Sequence, residues 1–368
     1  MNEQNEDFEM IRDQARRFLT DAMQPDYLKE LLEKPGTFDG RTWTNAVELG
    51  WSAISLNEEQ GGLGLGWRGV CVLAEELGRK TASIPLIATA SLAQLLVNDP
   101  DNEVALKHAA PLISGEQHAC LALSQAGEAG LALAPRMQFK DGKLSGTTAI
   151  TAFAATADYA VVPAQSSGAL FLALVALDQR GVGRDIVPAV DNSRAAAALT
   201  FEGVPAVSLS MGAQAQAQLW KLASLAALAT AFEQIGGAQV CLDMARDYAL
   251  ERKAFGQQIG RFQSIKAKLA DMYVRIEMAR GCALDALAAL ENGDPVWCGL
   301  AASARVGAID AYEVAARENI QTHGAIGVTW EAMPHHHYRR SRALAIELGA
   351  AAMWRERLLA EVGFGLPA

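Results

Sequence analysis

The chain reads as an α+β protein laid out in three successive blocks: helical over residues 1–112, strand-rich over 113–212 and helical again over 213–368. Three observations carry that reading. Apolar residues in the first block recur at helical spacing. Between 113 and 212 they come instead as short runs separated by turn residues. From 222 to 242 a long, nearly uncharged stretch holds one charge, Glu233. Helices, then strands, then helices is the order of an α+β chain. The 368 residues suffice for two or three domains at ~100–200 residues each.

Taken in order, Phe8, Ile11, Ala15, Phe18 and Leu19 mark the first helix, and Trp43, Val47, Leu49 and Trp51 a second apolar patch. The glycine-rich segment from Leu56 to Trp67 has neither the Lys-Ser/Thr of a phosphate loop nor a clear strand before it, so it is a connector. Helix is expected again over 67–80 and 91–97, with a turn at Asn98-Asp99-Pro100. The second block offers strands at 120–123, 137–140, 143–144, 159–162, 170–176 and 199–201, with Asp141-Gly142 as a hairpin turn between two of them. Stretches 126–134 and 191–198 read as loops. In the third block Leu222, Leu225, Ala229, Phe232 and Ile235 form an apolar stripe. Gly236-Gly237 in mid-helix cost about 1 kcal/mol each against Ala, which implies close packing on another element. A final helix is expected from about His336 to Val362.

Composition narrows the function classes. At 51% hydrophobic and 20% charged residues the chain can bury a large core. A net charge of −10 argues against nucleic acid and against an anionic membrane surface, while leaving room for a local arginine pocket. No apolar run has membrane-spanning character, and the polar start is not that of a signal peptide. Five scattered cysteines without a CxxC pair suit reduced thiols in a cytoplasm. His335, His336 and His337 are contiguous, so on a helix they point in different directions and offer no i, i+4 ligand pair. No metal site is expected, and polar contacts at a subunit interface are the better role for them.

The stretch 246–280 organises the chemistry. One helix ends, the chain breaks at Phe255-Gly256, and a second helix begins near Phe262 with Ile265, Leu269, Met272, Ile276 and Ala279 on one stripe. Arg252, Arg261, Gln257 and Gln263 gather around glycines at the break. On residue chemistry alone this is either an anion site or a solvated basic corner. Arg252-x-x-Phe255-Gly256, Phe262-Gln263 and Leu269-Ala270-Asp271-Met272, followed by Gln321-Thr322-His323-Gly324-Ala325-Ile326-Gly327, resemble the C-terminal signature of the acyl-CoA dehydrogenases. More weakly, the similarity extends over nearly the whole chain.

That resemblance implies the fold of the family: an N-terminal helical domain, a central β domain and a C-terminal four-helix bundle. It also implies FAD as cofactor, an acyl-CoA thioester as substrate and an electron-transfer flavoprotein-like acceptor. In this chemistry a carboxylate removes the α-proton, and it must be held in a desolvated pocket to be basic enough. The family carries that carboxylate at one of two places, and here they hold Leu348 and Ala226. Glu347 adjoins the first and Glu233 follows the second by seven residues, so these two are the candidate bases. Their alternative readings are a solvated surface charge and a structural ion pair. At the flavin-ring end, Leu123-Ser124-Gln125-Ala126-Gly127 and the segment 147–152 correspond to the family's ring contacts. Ser124 offers a hydroxyl there, while Ile150 and Ala152 stand where the family has Trp and Thr.

By contrast, Arg252, Phe255, Gln263, Gln321 and Gly324 match residues that, in the family, reach across a dimer interface to the pyrophosphate and adenine of a neighbour's FAD. Ala325 replaces one glycine there. A chain that keeps what it lends and lacks what it needs is similar to one subunit of the α2β2 acyl-CoA dehydrogenases that act on bulky steroid side-chain thioesters. Phe232 to Gly237 and Gly327 to Arg340 also resemble that branch. The expected partner is a homologous subunit carrying the catalytic Glu. A self-sufficient homotetramer using Glu233 or Glu347, and a non-catalytic scaffold of the same fold, are the alternatives.

Overall fold

The structure is a computed structural model and describes residues 2–125 and 130–363. Its first block holds α1 (Asn2–Ala22), α2 (Pro25–Glu33), α3 (Gly40–Glu48), α4 (Gly66–Arg79), α5 (Leu86–Val97), α6 (Glu103–Leu106) and α7 (Ala109–Ile113). Local chemistry sets the boundaries. Pro25 opens α2, where its missing N–H costs nothing. The Asp39 carboxylate caps α3 by accepting from the Thr42 amide at 2.9 Å. The glycine-rich connector satisfies its amides internally. Asn57 and Gln60 form a capping box around a single 3₁₀ turn. A Cβ on Gly62 would stand 2.1 Å from the Leu56 carbonyl oxygen, so only glycine fits this fold-back.

Eight strands among the described residues form one sheet: β1 (Ala119–Leu121), β2 (Gln138–Lys140), β3 (Lys143–Thr147), β4 (Tyr159–Ser166), β5 (Ala169–Ala176), β6 (Val182–Ile186), β7 (Ala197–Pro205) and β8 (Val207–Met211). The order is β6-β7-β3-β2-β4-β5-β8, and β1 lies parallel to β4. The β2–β3 hairpin turns on Asp141 (φ 52°) and Gly142 (φ 74°), the two positive φ values of a type I′ turn. Side chains alternate between two packed faces: Val161, Leu172 and Leu174 join one core, and Ala160, Val162, Ala173 and Val175 the other. Two strands lie outside the expected runs. β6 is a half-exposed edge strand with only Val182 and Ile186 as large apolar residues, and β8 alternates apolar side chains with serine.

The third block comprises α8 (Ala213–Glu251), α9 (Gln263–Glu291), α10 (Trp297–His323), α11 (Pro334–Leu344) and α12 (Ala351–Glu361). By length and composition α8 is the one helix among the described residues apolar enough to cross a membrane. However, 83% of its most apolar window is buried in the fold, as the central helix of the bundle. It crosses α4 at backbone contact: a Cβ on Gly78 would lie 1.8 Å from the Glu233 carbonyl oxygen, and one on Gly236 2.0 Å from that of Glu75. Gly237 lies under the Tyr312 ring. The mid-helix glycine pair is thus the footprint of two helices and a phenol packed at the closest approach. Ala15, Leu19, Trp43 and Trp67 merge there with Phe232, Ile235, Met272 and Ile276 into one core.

The last segment corrects the expected single helix from His336 to Val362. The chain breaks over 345–350, where Leu348 (φ 60°) and Gly349 (φ 99°) are left-handed. A bulky side chain at positive φ is strained, and its surroundings must hold it there.

Candidate functional site

A cavity of about 330 Å³ lies between the sheet and the bundle. Ser124, Ile150, Ala152 and Phe153 line its sheet side. α8 contributes Ala226, Thr230 and Glu233, and the break between α11 and α12 contributes Glu347, Leu348 and Gly349. Leu77, Ala82, Ile84, Ile87 and Ala88 add an apolar wall from α4, α5 and the segment joining them. Residues far apart in the chain thus open on one space: positions 124, 150 and 152, where the resemblance expects ring contacts, and Ala226 and Leu348, where it expects a base. Ala126 and Gly127 of the ring-side loop lie outside the described residues.

The candidate bases share a partner that the sequence did not point to. Arg194, buried in a short 3₁₀ turn within the 191–198 stretch, donates from Nη1 to Glu233 Oε1 at 3.1 Å. It also donates from Nε and Nη2 to the two oxygens of Glu347 at 3.1 and 2.5 Å. Its guanidinium carbon sits 4.9 Å from the centre of the Phe153 ring. Glu233 Oε1 also accepts from Arg340 at 3.0 Å. Arg340 in turn reaches Asp191 at 2.6 Å and the carbonyls of Thr81 and Ala82. Glu233 is therefore ion-paired to two buried guanidiniums. Glu347 is no solvated surface charge either: its side chain is 20% exposed and held bidentately. Both oxygens of Glu347 and Oε1 of Glu233 accept from guanidiniums.

Arg305 completes the cluster. It donates to Gln234 and to the carbonyls of Leu344 and Glu347, gripping the strained turn from behind. Three guanidiniums thus balance three carboxylates beside the cavity, as their burial requires. Burial alone would raise the Asp191 carboxyl, but Arg340 and Ser193 hold it below the usual aspartate range. Burial lowers Arg305 to about 10. Burial opposes the charge on Arg194 and Arg340 as well, yet their carboxylates push both above the ordinary arginine value. Beside the cluster the three histidines are buried. His337 Nδ1 lies 3.0 Å from the Tyr312 hydroxyl, and burial takes His336 down to about 4 and His337 to about 3.

The second region lies at one end of the bundle. α8 and α9 are joined by a small hairpin pairing Lys253–Ala254 with Gln257–Gln258. Phe255 at its tip has φ 50° and is 95% exposed, a strained aromatic that its own chain does not cover. Arg252, Arg261 and Gln263 are exposed beside it, and among the described residues neither arginine side chain has an ion pair or hydrogen bond. Gln321 and Gly324 end α10 nearby. The Tyr248 ring, one turn before Arg252, stacks on His323 at 4.2 Å and ties the two groups together. Unpaired guanidiniums and free amides around a hairpin suit a pyrophosphate. The cavity does not suit a flavin ring in the same way, since Ile150 and Ala152 supply neither stacking nor hydrogen bonds and a salt bridge occupies its wall.

Comparison with known proteins accounts for both ends of the chain. Residues 5–116 match the acyl-CoA dehydrogenase N-terminal domain and residues 217–363 the acyl-CoA dehydrogenase C-terminal domain. The acyl-CoA dehydrogenase IpdE2 of Mycobacterium tuberculosis is 29% identical over 360 residues, covering 97% of this chain and 98% of that protein. The acyl-CoA dehydrogenase FadE34 of the same organism is 31% identical over 85% of this chain, which spans only 40% of FadE34's length. Among solved structures, the Tcur3481-Tcur3483 steroid ACAD, a G363A variant, superposes with a TM-score of 0.88 at 27% identity over 98% of both chains.

Proposed function

The chain belongs to the acyl-CoA dehydrogenase family of FAD-dependent oxidoreductases acting on CH–CH bonds, and on that footing we propose that it works as one subunit of a hetero-oligomer whose homologous partner carries the catalytic Glu. One observation carries the proposal. Both base positions, Ala226 and Leu348, hold side chains that cannot take a proton, and the two nearby carboxylates are committed to Arg194. The similarity to a steroid ACAD named for two components supports the same reading, and supports a bulky, steroid side-chain acyl-CoA as substrate.

In that assembly FAD would supply the hydride-accepting chemistry and the partner's carboxylate would serve as the base for the α-proton. This chain's role is binding. Arg252 and Gln263 would hold the pyrophosphate of an FAD seated in the partner, Gln321 and the backbone at Gly324 would serve its adenine end, and Phe255 would pack into the neighbouring subunit. Arginine suits the first task because its planar fork meets two phosphate oxygens at once. Ser124 remains a hydroxyl on a ring side that this reading leaves unused. An electron-transfer flavoprotein-like acceptor takes the electrons onward, and five free cysteines suit a reducing cytoplasm.

The test is flavin content and mass of the chain, purified alone and then with its homologous partner. A colourless chain that turns yellow in an α2β2 complex, at about one FAD per pair, is the expected outcome. A yellow homotetramer with one FAD per chain would overturn the proposal and return Glu233 and Glu347 to candidacy.

A further inference from the structure

His323, the last residue of α10, sits between Gln321 and Gly324 and is held from three sides. Its Nδ1 lies 2.9 Å from the Asn319 carbonyl oxygen, one turn back along the helix. Its ring stacks on Tyr248 of α8, with centroids 4.2 Å apart and planes 27° from parallel. On the third side the chain folds back after Gly324, and a Cβ on Gly327 would stand 3.1 Å from the His323 Cβ. Held so, the ring keeps one orientation. The first contact also fixes its tautomer. A carbonyl oxygen only accepts, so Nδ1 carries the proton, and in the neutral imidazole Nε2 is then an acceptor. Nδ1 aims back along α10, and the Nε2 lone pair, diverging from it across the ring, aims away from the helix. Among the described residues Nε2 has no partner. Open space adjoins it, since a Cβ on Gly324, at φ 66°, would meet nothing within 4 Å. Ile326 and Val328, both exposed, offer apolar surface on the 3₁₀ turn that follows. A fixed acceptor beside open apolar surface suits a flat heterocycle with an amine on its edge.

The geometry points to His323 as the residue that reads the base of the shared dinucleotide, its Nε2 accepting from the exocyclic amine of adenine. The inference rests on the proposal that this corner serves an FAD seated in the partner, and it adds a determinant of which base is taken. Adenine presents an amine donor at its 6-position, where guanine and hypoxanthine present a carbonyl oxygen. An acceptor facing that oxygen gains no hydrogen bond and meets repulsion instead. The site thus selects by rejection as well as by attraction.

The experiment titrates the flavin-freed complex of this chain and its homologous partner with FAD and with flavin hypoxanthine dinucleotide, which carries the carbonyl in place of the amine. Flavin fluorescence anisotropy reads both affinities. The wild-type complex should prefer FAD by at least ~10-fold. His323→Phe keeps a ring on Tyr248 but has no acceptor, so it should bind FAD more weakly and bring the ratio of the two affinities to within about twofold. Equal affinity for both dinucleotides in the wild type, or a preference that survives in His323→Phe, overturns the inference and leaves the partner-dependent reading standing. A complex that takes up neither dinucleotide overturns both. Should the variant fail to assemble, the wild-type ratio and imidazole nitrogen NMR of the wild-type chain decide together. A preference for FAD with the proton on Nδ1 supports the reading of adenine by Nε2, and a proton on Nε2 refutes it.

Discussion

The cavity cluster and the hairpin corner both gather arginines, and they could hardly be more different. In the cluster, Arg194, Arg305 and Arg340 are buried and every guanidinium ends on a carboxylate, a carbonyl or an amide of the same chain. At the corner, Arg252 and Arg261 stand exposed without a partner among the described residues, beside an aromatic tip that nothing covers. The first region pairs its charges within the chain, leaving only Arg305 Nε and Gln234 Nε2 without a partner among its described groups, so it ties the fold together. The second is incomplete, and incompleteness in a folded chain is what a binding surface looks like before it binds.

Substitutions test that contrast, beginning with the largest effect. Arg340→Met leaves Asp191 and Glu233 short of a buried counter-charge and should cost about 3–5 kcal/mol in denaturant unfolding. A loss below ~1 kcal/mol would show the cluster to be dispensable.

Acid should act on the same region. An unfolded histidine titrates near 6.5, while His336 and His337 stay neutral in the fold to about 4 and about 3. Their contribution is complete above pH 6.5 and is lost as pH falls, because the unfolded chain takes up protons that the native chain refuses. Asp191, held below the aspartate range, adds its loss in more acid solution still. Melting temperature should therefore decline from pH 6.5 downward, and a flat profile from pH 6.5 to 4 would contradict the neutral burial of these rings.

At the corner the expected effects move from folding to assembly. Arg252→Ala should weaken FAD retention in the complex roughly tenfold or more, with the chain's own stability within ~0.5 kcal/mol of wild type. Undiminished flavin after gel filtration would remove Arg252 from the cofactor's environment. Glu233→Gln, despite its destabilisation, should leave turnover per bound flavin unchanged in the complex, whereas a loss of ~100-fold or more would mark it as the base after all. Phe255→Ser is the gentlest: no change in the chain's unfolding, read beside a measurable rise in the subunit dissociation constant. Unaltered association would mean that the exposed ring serves some other contact.

Much of the architecture was legible in the chain because it depends on short-range rules. Helical spacing marked the bundle, Asp141-Gly142 marked its hairpin through the two positive φ values a type I′ turn requires, and Gly236-Gly237 signalled a close helix crossing by their cost. The exposed corner was legible too, since its residues lie within a dozen positions of one another around a chain break. Edge strand β6 was not, because its half-exposed Val182–Ile186 run carries only two large apolar residues, whereas β8 does show the apolar–serine alternation of a strand. The Arg194 bridge was also hidden, with partners 39 and 153 residues away. No local pattern encodes which of 32 basic side chains will be buried against which of 42 acidic ones. By itself the sequence determined most of the helices, the turns and the family motifs. The tertiary structure alone decided that Glu233 and Glu347 converge on one guanidinium, because pairing buried charges is a matter of where a folded backbone leaves them, and of the desolvation that forbids leaving any one alone.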